Sequence, residues 1–370
     1  KMMGNTSSRK LEHVKLSVDK DVESKGSSLL EYVRLIHNPL PELDLEDVDL
    51  TVDVCNADKK IKAPIIIAGM TGGHPDVAWI NEALARVAEE FGIAVGVGSQ
   101  RAAIEDPSLE STFRIAREAA PNAFIIANIG GAQLVKGYGL KELRRAIDMI
   151  KADALAIHLN PAQEAFQPEG EPAYRRLLEK LVEIADRIEV PLIIKETGSG
   201  LRKETVGELY RLGFKCFDVQ GRGGTSWIKV EHYRRGKGDM EIADEWGNPT
   251  AVAIVETRVA APKAYVIGSG GIRSSLDIAK SIALGANAVA IARPLLKALF
   301  EGGYEGLREK MREFLEELRI LVFLTGSRNV KDLWRAPLTL SGRLREELEF
   351  RNINVEEYLR RGRLLPLLKV

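Results

Sequence analysis

The sequence predicts a closed (β/α)8 TIM barrel with an N-terminal extension and a C-terminal helical segment. Three observations predict it. From Pro64 onward short apolar runs alternate with longer amphipathic ones, eight such pairs occur, and the chemically unusual residues gather where the apolar runs end. An open doubly wound sheet explains the alternation equally well, but not the count.

The apolar runs are 64–68, 93–97, 124–128, 154–159, 192–195, 216–219, 265–267 and 288–291, strands one to eight in order. Each is short and many of their residues are β-branched, as parallel strands buried on both faces require. Val77, Ile80, Leu84, Val87 and Phe91 recur at helical spacing until Gly92 stops the helix. Leu177, Leu181, Ile184 and Ile188 form a second stripe that ends before Pro191. The same spacing predicts helices near 108–119, 140–150, 203–212, 251–260, 275–284 and 304–323. Ahead of the barrel, Val48, Leu50, Val52 and Val54 alternate, followed by a turn at 56–58 and Ile61. That pattern predicts a β-hairpin across the barrel floor. The polar run 236–248 reads as a long mobile loop after strand six. The chain is read as one domain over 1–370. An arm, helix and hairpin occupy 1–62, the barrel 63–325, and a charged helical segment, broken by Pro337 and Gly342, 326–370.

Composition excludes several functions. Lys plus Arg and Asp plus Glu are equal at 53 each, so no basic excess attracts nucleic acid. Cys55 and Cys216 have no CxxC spacing, which predicts neither a disulfide framework nor a cysteine zinc site and suits a reducing cytoplasm. The opening KMMGNTSSRK lacks the apolar stretch of a secretory signal, and no apolar run reaches the roughly 20 residues a bilayer demands. No membrane partner is expected. Composition does not fix the assembly, and the expectation of a homo-oligomer, a tetramer or octamer, rests on the charged C-terminal segment as the element to mediate it.

Barrels carry their chemistry at the C-terminal ends of the strands. Here those ends read GMTGG (69–73), GVGSQR (96–101), Asn128, HLNPAQE (158–164), Lys195, QGRGGT (220–225), GSGGIR (268–273) and Ala292-Arg293-Pro294. Glycine-rich ends let backbone approach a planar ligand, although each alone is a common turn. The ends of strands seven and eight are where barrels build phosphate sites. Lys195 would face the anionic edge of such a ring rather than reach to water. Glu164 is a hard oxygen donor suited to Mg2+, and His158 a donor to phosphate. Arg9 and Lys10 lie in a segment with no fold signal. Composition favours a disordered arm, while arginine's grip on phosphate offers the alternative of an arm folded over the mouth.

Together, Arg9-Lys10-x-x-His13, GMTGG, GVGSQR, HLNPAQE, Lys195, GRGGTSWIKVE, GSGGIR and ARP resemble type 2 isopentenyl-diphosphate delta-isomerase over nearly the whole chain. HLNPAQE and GGTSW followed by Glu231 are the most specific elements. The resemblance implies FMN, reduced by NADPH or NADH before a redox-neutral reaction, and Mg2+. By matching position, flavin contacts would be Met70, Thr71, Gly72, Ser99, Asn128, Lys195, Thr225, Gly271, Arg273, Ala292 and Arg293. The substrate would meet Arg9, Lys10, Ser99, Arg101, His158, Asn160 and Gln163, and Glu164 would hold the metal. Ser226 stands where this family often has Asn; both are small and polar.

Moving a double bond from isopentenyl to dimethylallyl diphosphate adds a proton at C4 and removes one from C2, through a cation that water must not reach. No cysteine lies at a strand end to act as the acid. The expectation is that reduced FMN works as acid and base through N5, with Gln163 and Glu231 relaying protons and Lys195 holding the flavin's charge. Three rival readings fit the sequence less well. A 2-hydroxy acid oxidase or dehydrogenase needs a histidine after strand six, where none occurs before His232, and an inosine-monophosphate-type dehydrogenase needs a cysteine there. A barrel retained only as a sensor would have little use for a carboxylate beside a histidine.

Overall fold

The computed structural model describes residues 6–367. Eight parallel strands close into a barrel in chain order. They are β1 (Ile65–Ile67), β2 (Ala94–Gly96), β3 (Phe124–Gly130), β4 (Ala154–His158), β5 (Leu192–Lys195), β6 (Cys216–Asp218), β7 (Tyr265–Ser269) and β8 (Ala288–Ile291). The expected strands lie within a few residues of these, β3 and β7 running further toward the mouth. Register places His158 beside Lys195, and Lys195 beside Asp218, so three polar groups sit side by side at the strand ends.

Two apolar layers hold the barrel. Alternate residues such as Ile66, Phe124, Ile126, Ile193 and Ile267 fill its inside, while Ile65, Ile67, Ile125, Ile157 and Phe217 face the helices. The predicted helices form, with local adjustments. Asp106 accepts from Ser108 N and caps a short 3-10 turn, so the 108–119 helix begins only at Ser111. The 304–323 helix is the second half of Arg293–Leu324, kinked at Gly303 (φ 62°).

The hairpin is shorter than expected: Val52–Asp53 pairs antiparallel with Lys60–Ile61, while Val48 and Leu50 are buried outside any strand. Val54 and Ile61 pack against Phe124, Cys216 and Tyr265 at the N-terminal end of the barrel, and Tyr265 Oη donates to Asp53 O at 2.6 Å. The expected floor is therefore present. The cysteine reading fails, because Cys55 and Cys216 form a disulfide that staples the hairpin to β6. Folding, not sequence spacing, brings them together, and the pair gives no support to a reducing compartment.

Three further expectations change. The arm is not disordered: residues Thr6–Asp19 form a helix. The run 236–248 is a packed structure containing the helix Met240–Glu245. Ser226 Oγ donates to Ala243 O, Arg222 to Glu245 O and Lys229 to Asp244. The C-terminal segment contributes a strand, Leu338–Leu340, antiparallel to Val33–Leu35, followed by helices Gly342–Phe350 and Val355–Arg360. No helix among the described residues is long and apolar enough to cross a membrane.

Candidate active site

One cavity, about 1680 Å³ with its open mouth included, spans the C-terminal ends of the strands. The arm helix roofs it with Arg9, Lys10 and His13. Of the residues singled out from sequence, all but two line it. Gly72 stands behind the wall: its φ is 139° and a Cβ there would lie 2.2 Å from the Phe113 ring, so only glycine fits. Glu231, on the helix Trp227–Arg235, is fully buried and reaches the cavity only through His13, whose Nε2 lies 2.9 Å from its Oε1.

The floor is backbone and polar side chains. Thr71 Oγ1 is buried without a partner. Asn128 Nδ2 donates to Val97 O, and its Oδ1 sits 2.7 Å from His158 Nδ1. Gly271 (φ 73°) packs so closely on the β6 loop that a Cβ would fall 2.4 Å from Gly223 O. Lys195 is buried, with Asp218 next to it; burial raises the Asp218 carboxyl while Lys195 and the Ser269 hydroxyl oppose that rise. At the β7 and β8 ends, Arg273 and Arg293 both reach Glu23, at 3.3 and 2.8 Å.

The opposite wall begins at β4. Asn160 Nδ2 donates to Gln163 Oε1 at 3.1 Å, and Tyr174 Oη donates to Asn160 Oδ1 at 2.9 Å, which orients the short helix Pro161–Phe166. Glu164, on that helix, accepts from Glu171 N at 2.9 Å. Burial and then the charges of Lys195 and Lys10 push His158 down to about 3, so the imidazole is neutral. Burial, with Arg9 and Arg101 beyond it, pushes Lys10 down to about 8. Burial likewise keeps His13 neutral against the pull of Glu231. Burial alone would raise the Glu231 carboxyl, but His13 and Arg234 hold it below its ordinary range. Neutral His13 therefore donates from Nε2 to a carboxylate.

Sequence reasoning missed Glu23, Asp218 and Arg234. Each is a charged residue with no local motif, and its meaning comes from partners distant in sequence. His13 and Trp227 lay inside quoted motifs without an assigned role; their rings meet edge-on, 5.3 Å apart.

Residues 176–340 match the model of the FMN-dependent dehydrogenase family. The isopentenyl-diphosphate delta-isomerase of Aeropyrum pernix is 54% identical over 371 residues, covering 99% of this chain and 98% of that protein. The chain belongs to the isopentenyl-diphosphate delta-isomerase family. Another member, from Methanosarcina mazei, is 45% identical over 364 residues, covering 96% of this chain and 98% of its own. Membership makes the chain an isomerase. Among solved structures, a mandelate oxidase variant carrying a C4a-OH-FMN adduct superposes with a TM-score of 0.62 at 19% identity, over 89% of this chain and 95% of that one. A flavocytochrome b2 variant gives 0.64 at 15%, over 93% and 88%. These two share the fold with the isomerase family. His232, the first histidine after β6, is buried against Phe166 and lines no part of the cavity.

Proposed function

We propose that the cavity holds FMN across the strand ends and isopentenyl diphosphate above it, and that the enzyme converts this substrate to dimethylallyl diphosphate in isoprenoid biosynthesis. One juxtaposition carries the reading: a glycine-walled floor with Asn128 and Lys195 lies in the same cavity as Arg9, Lys10, Arg101, His158 and Glu164. The first set suits a flat ring at the strand ends and the second a diphosphate above it.

The residues present suit FMN. The partnerless Thr71 hydroxyl offers the ring a hydrogen bond, and Arg273 with Arg293 already gather around one anionic group, as they would around a phosphate. Met70, Ser99, Asn128, Lys195, Thr225, Gly271 and Ala292 complete the proposed contacts, with Gly72 supporting from behind. The metal site is sparse. Among the described residues no group of three or more His, Cys, Asp or Glu could hold an ion. A single carboxylate, Glu164, suits Mg2+, which keeps waters and takes phosphate oxygens for its other positions.

Bound, and reduced by NADPH or NADH, the flavin supplies an electron-rich ring and a protonatable N5. The protein's own part is positioning and exclusion of water. Arg9, Lys10, Arg101 and Asn160 bind the diphosphate, with Ser99 between the two ligands. Asn128 Oδ1 accepts from His158 Nδ1, which leaves Nε2 bare, so His158 must take up a proton to donate to a phosphate oxygen. The diphosphate charge favours that uptake. Lys195 places a cation under the ring. Gln163 faces the alkene from the β4 wall, and Glu231 acts through His13 from the roof. A 2-hydroxy acid oxidase is disfavoured by the position of His232.

Anaerobic incubation of the FMN-loaded protein with isopentenyl diphosphate, Mg2+ and NADPH tests the proposal. Dimethylallyl diphosphate is the expected product by NMR. A protein that takes up no flavin, or that makes no such product, overturns it.

A further inference from the structure

The side chain of Arg234 is only 8% exposed and touches three carboxylates on three separate pieces of chain. Its Nε lies 2.9 Å from Glu12 on the arm helix, one terminal nitrogen 2.5 Å from Glu169 after the Pro161–Phe166 helix, and the other 2.7 Å from Glu231 one turn back on its own helix. Neighbouring contacts follow the same lines: Arg9 reaches Glu169 at 3.9 Å, and Arg235 donates to Phe166 O at 3.1 Å. One guanidinium thus ties the roof of the cavity to the wall that carries Glu164.

We propose that Glu12, Arg234 and Glu169 form a clasp that holds the arm helix closed over the mouth. Arg234 is a positioning residue that sets substrate affinity by presenting Arg9 and Lys10, and it touches neither substrate nor flavin. The inference rests on the proposed function for its substrate, but not for its geometry. Its physical basis is that arginine spreads five donors over three nitrogens in a planar fork, so each nitrogen can serve a separate carboxylate. Without the clasp, the arm keeps the His13–Glu231 hydrogen bond as a pivot and loses its outer fastening.

The test uses the FMN-loaded enzyme carrying Glu12→Gln and Glu169→Gln together, which spares the Arg234–Glu231 pair. Trypsin cleavage after Lys15 and Lys20, both exposed, should run roughly 3–20-fold faster than in the parent, the range expected for losing three partly exposed ion pairs, those of Arg234 with Glu12 and Glu169 and the longer one of Arg9 with Glu169. KM for isopentenyl diphosphate should rise by a similar factor, with kcat within about 2-fold and flavin affinity unchanged. Arg234→Lys, which keeps the charge but not the fork, should fall between. Unchanged cleavage together with unchanged KM overturns the clasp, as does a kcat loss at constant KM. If the parent makes no dimethylallyl diphosphate, the functional reading falls while the cleavage rates still decide the clasp.

Discussion

His158 Nδ1 lies 2.7 Å from Asn128 Oδ1, and the amide nitrogen of Asn128 is committed to Val97 O. The amide cannot reverse its role without losing that second bond, so the tautomer of His158 is set by its neighbour on β3.

A measurable proton follows. The ligand-free imidazole, pushed down to about 3, is unprotonated at neutral pH. Diphosphate binding should raise it and draw a proton from solvent. Calorimetric titration in two buffers of different ionisation enthalpy should show uptake between pH 6 and 7.5, lost in His158→Gln. Buffer-independent heats in the parent would show that His158 stays neutral and binds only as an acceptor.

Lys10 sets the alkaline limit. Its ammonium, brought down to about 8, is charged below that pH and loses its proton above it. Log kcat/KM should therefore bend downward above about pH 8, and Lys10→Met should remove the bend with a loss of roughly 10–100-fold, as for a charge-assisted hydrogen bond. An unaltered bend in the variant would assign it elsewhere.

Glu164→Gln keeps the side chain's shape and removes its charge. The Mg2+ concentration for half-maximal activity should increase by roughly 10-fold or more, because a neutral amide oxygen attracts a divalent cation less than a carboxylate does. An unchanged metal response would transfer the role to another oxygen.

Thr71→Val tests the floor. Removing this buried hydroxyl, which lacks a protein partner, should weaken FMN binding to the apoprotein roughly 5–10-fold by fluorescence titration, with little change in melting temperature. A large stability loss with unaltered flavin affinity would make Thr71 a structural residue.

The disulfide encloses a separation of 161 residues. Reduction, or Cys55→Ser with Cys216→Ser, should lower the melting temperature on the order of 5–10 °C, from the chain-entropy contribution of a long loop. Isomerase activity at moderate temperature should persist, since the bridge lies at the end of the barrel opposite the cavity. Loss of activity before unfolding would show that the floor and the mouth are coupled.

The strand ends were legible in the sequence because a closed barrel delivers eight separate C-termini to one face. GMTGG and HLNPAQE could be placed in one site without knowing a single contact. The illegible features lack a local pattern, and some also pair across a large separation. His13 and Glu231 are 218 residues apart, and nothing near either announces the pairing that orders the arm. Leu338–Leu340 and Val33–Leu35 are three residues each, too short for alternation to register. In 236–248, polar composition suggested mobility, yet Ser226, Arg222 and Lys229 bond to that segment and hold it in place.

The sealed floor has a kinetic consequence. With the barrel's inside filled by side chains and the hairpin across its far end, nothing reaches the cavity through the barrel, and what lies deepest at the strand ends would have to arrive first. Flavin would load before diphosphate, and a hydride donor would have to visit and depart before the alkene settles. High substrate concentrations should then slow flavin reduction while leaving already reduced enzyme at full speed.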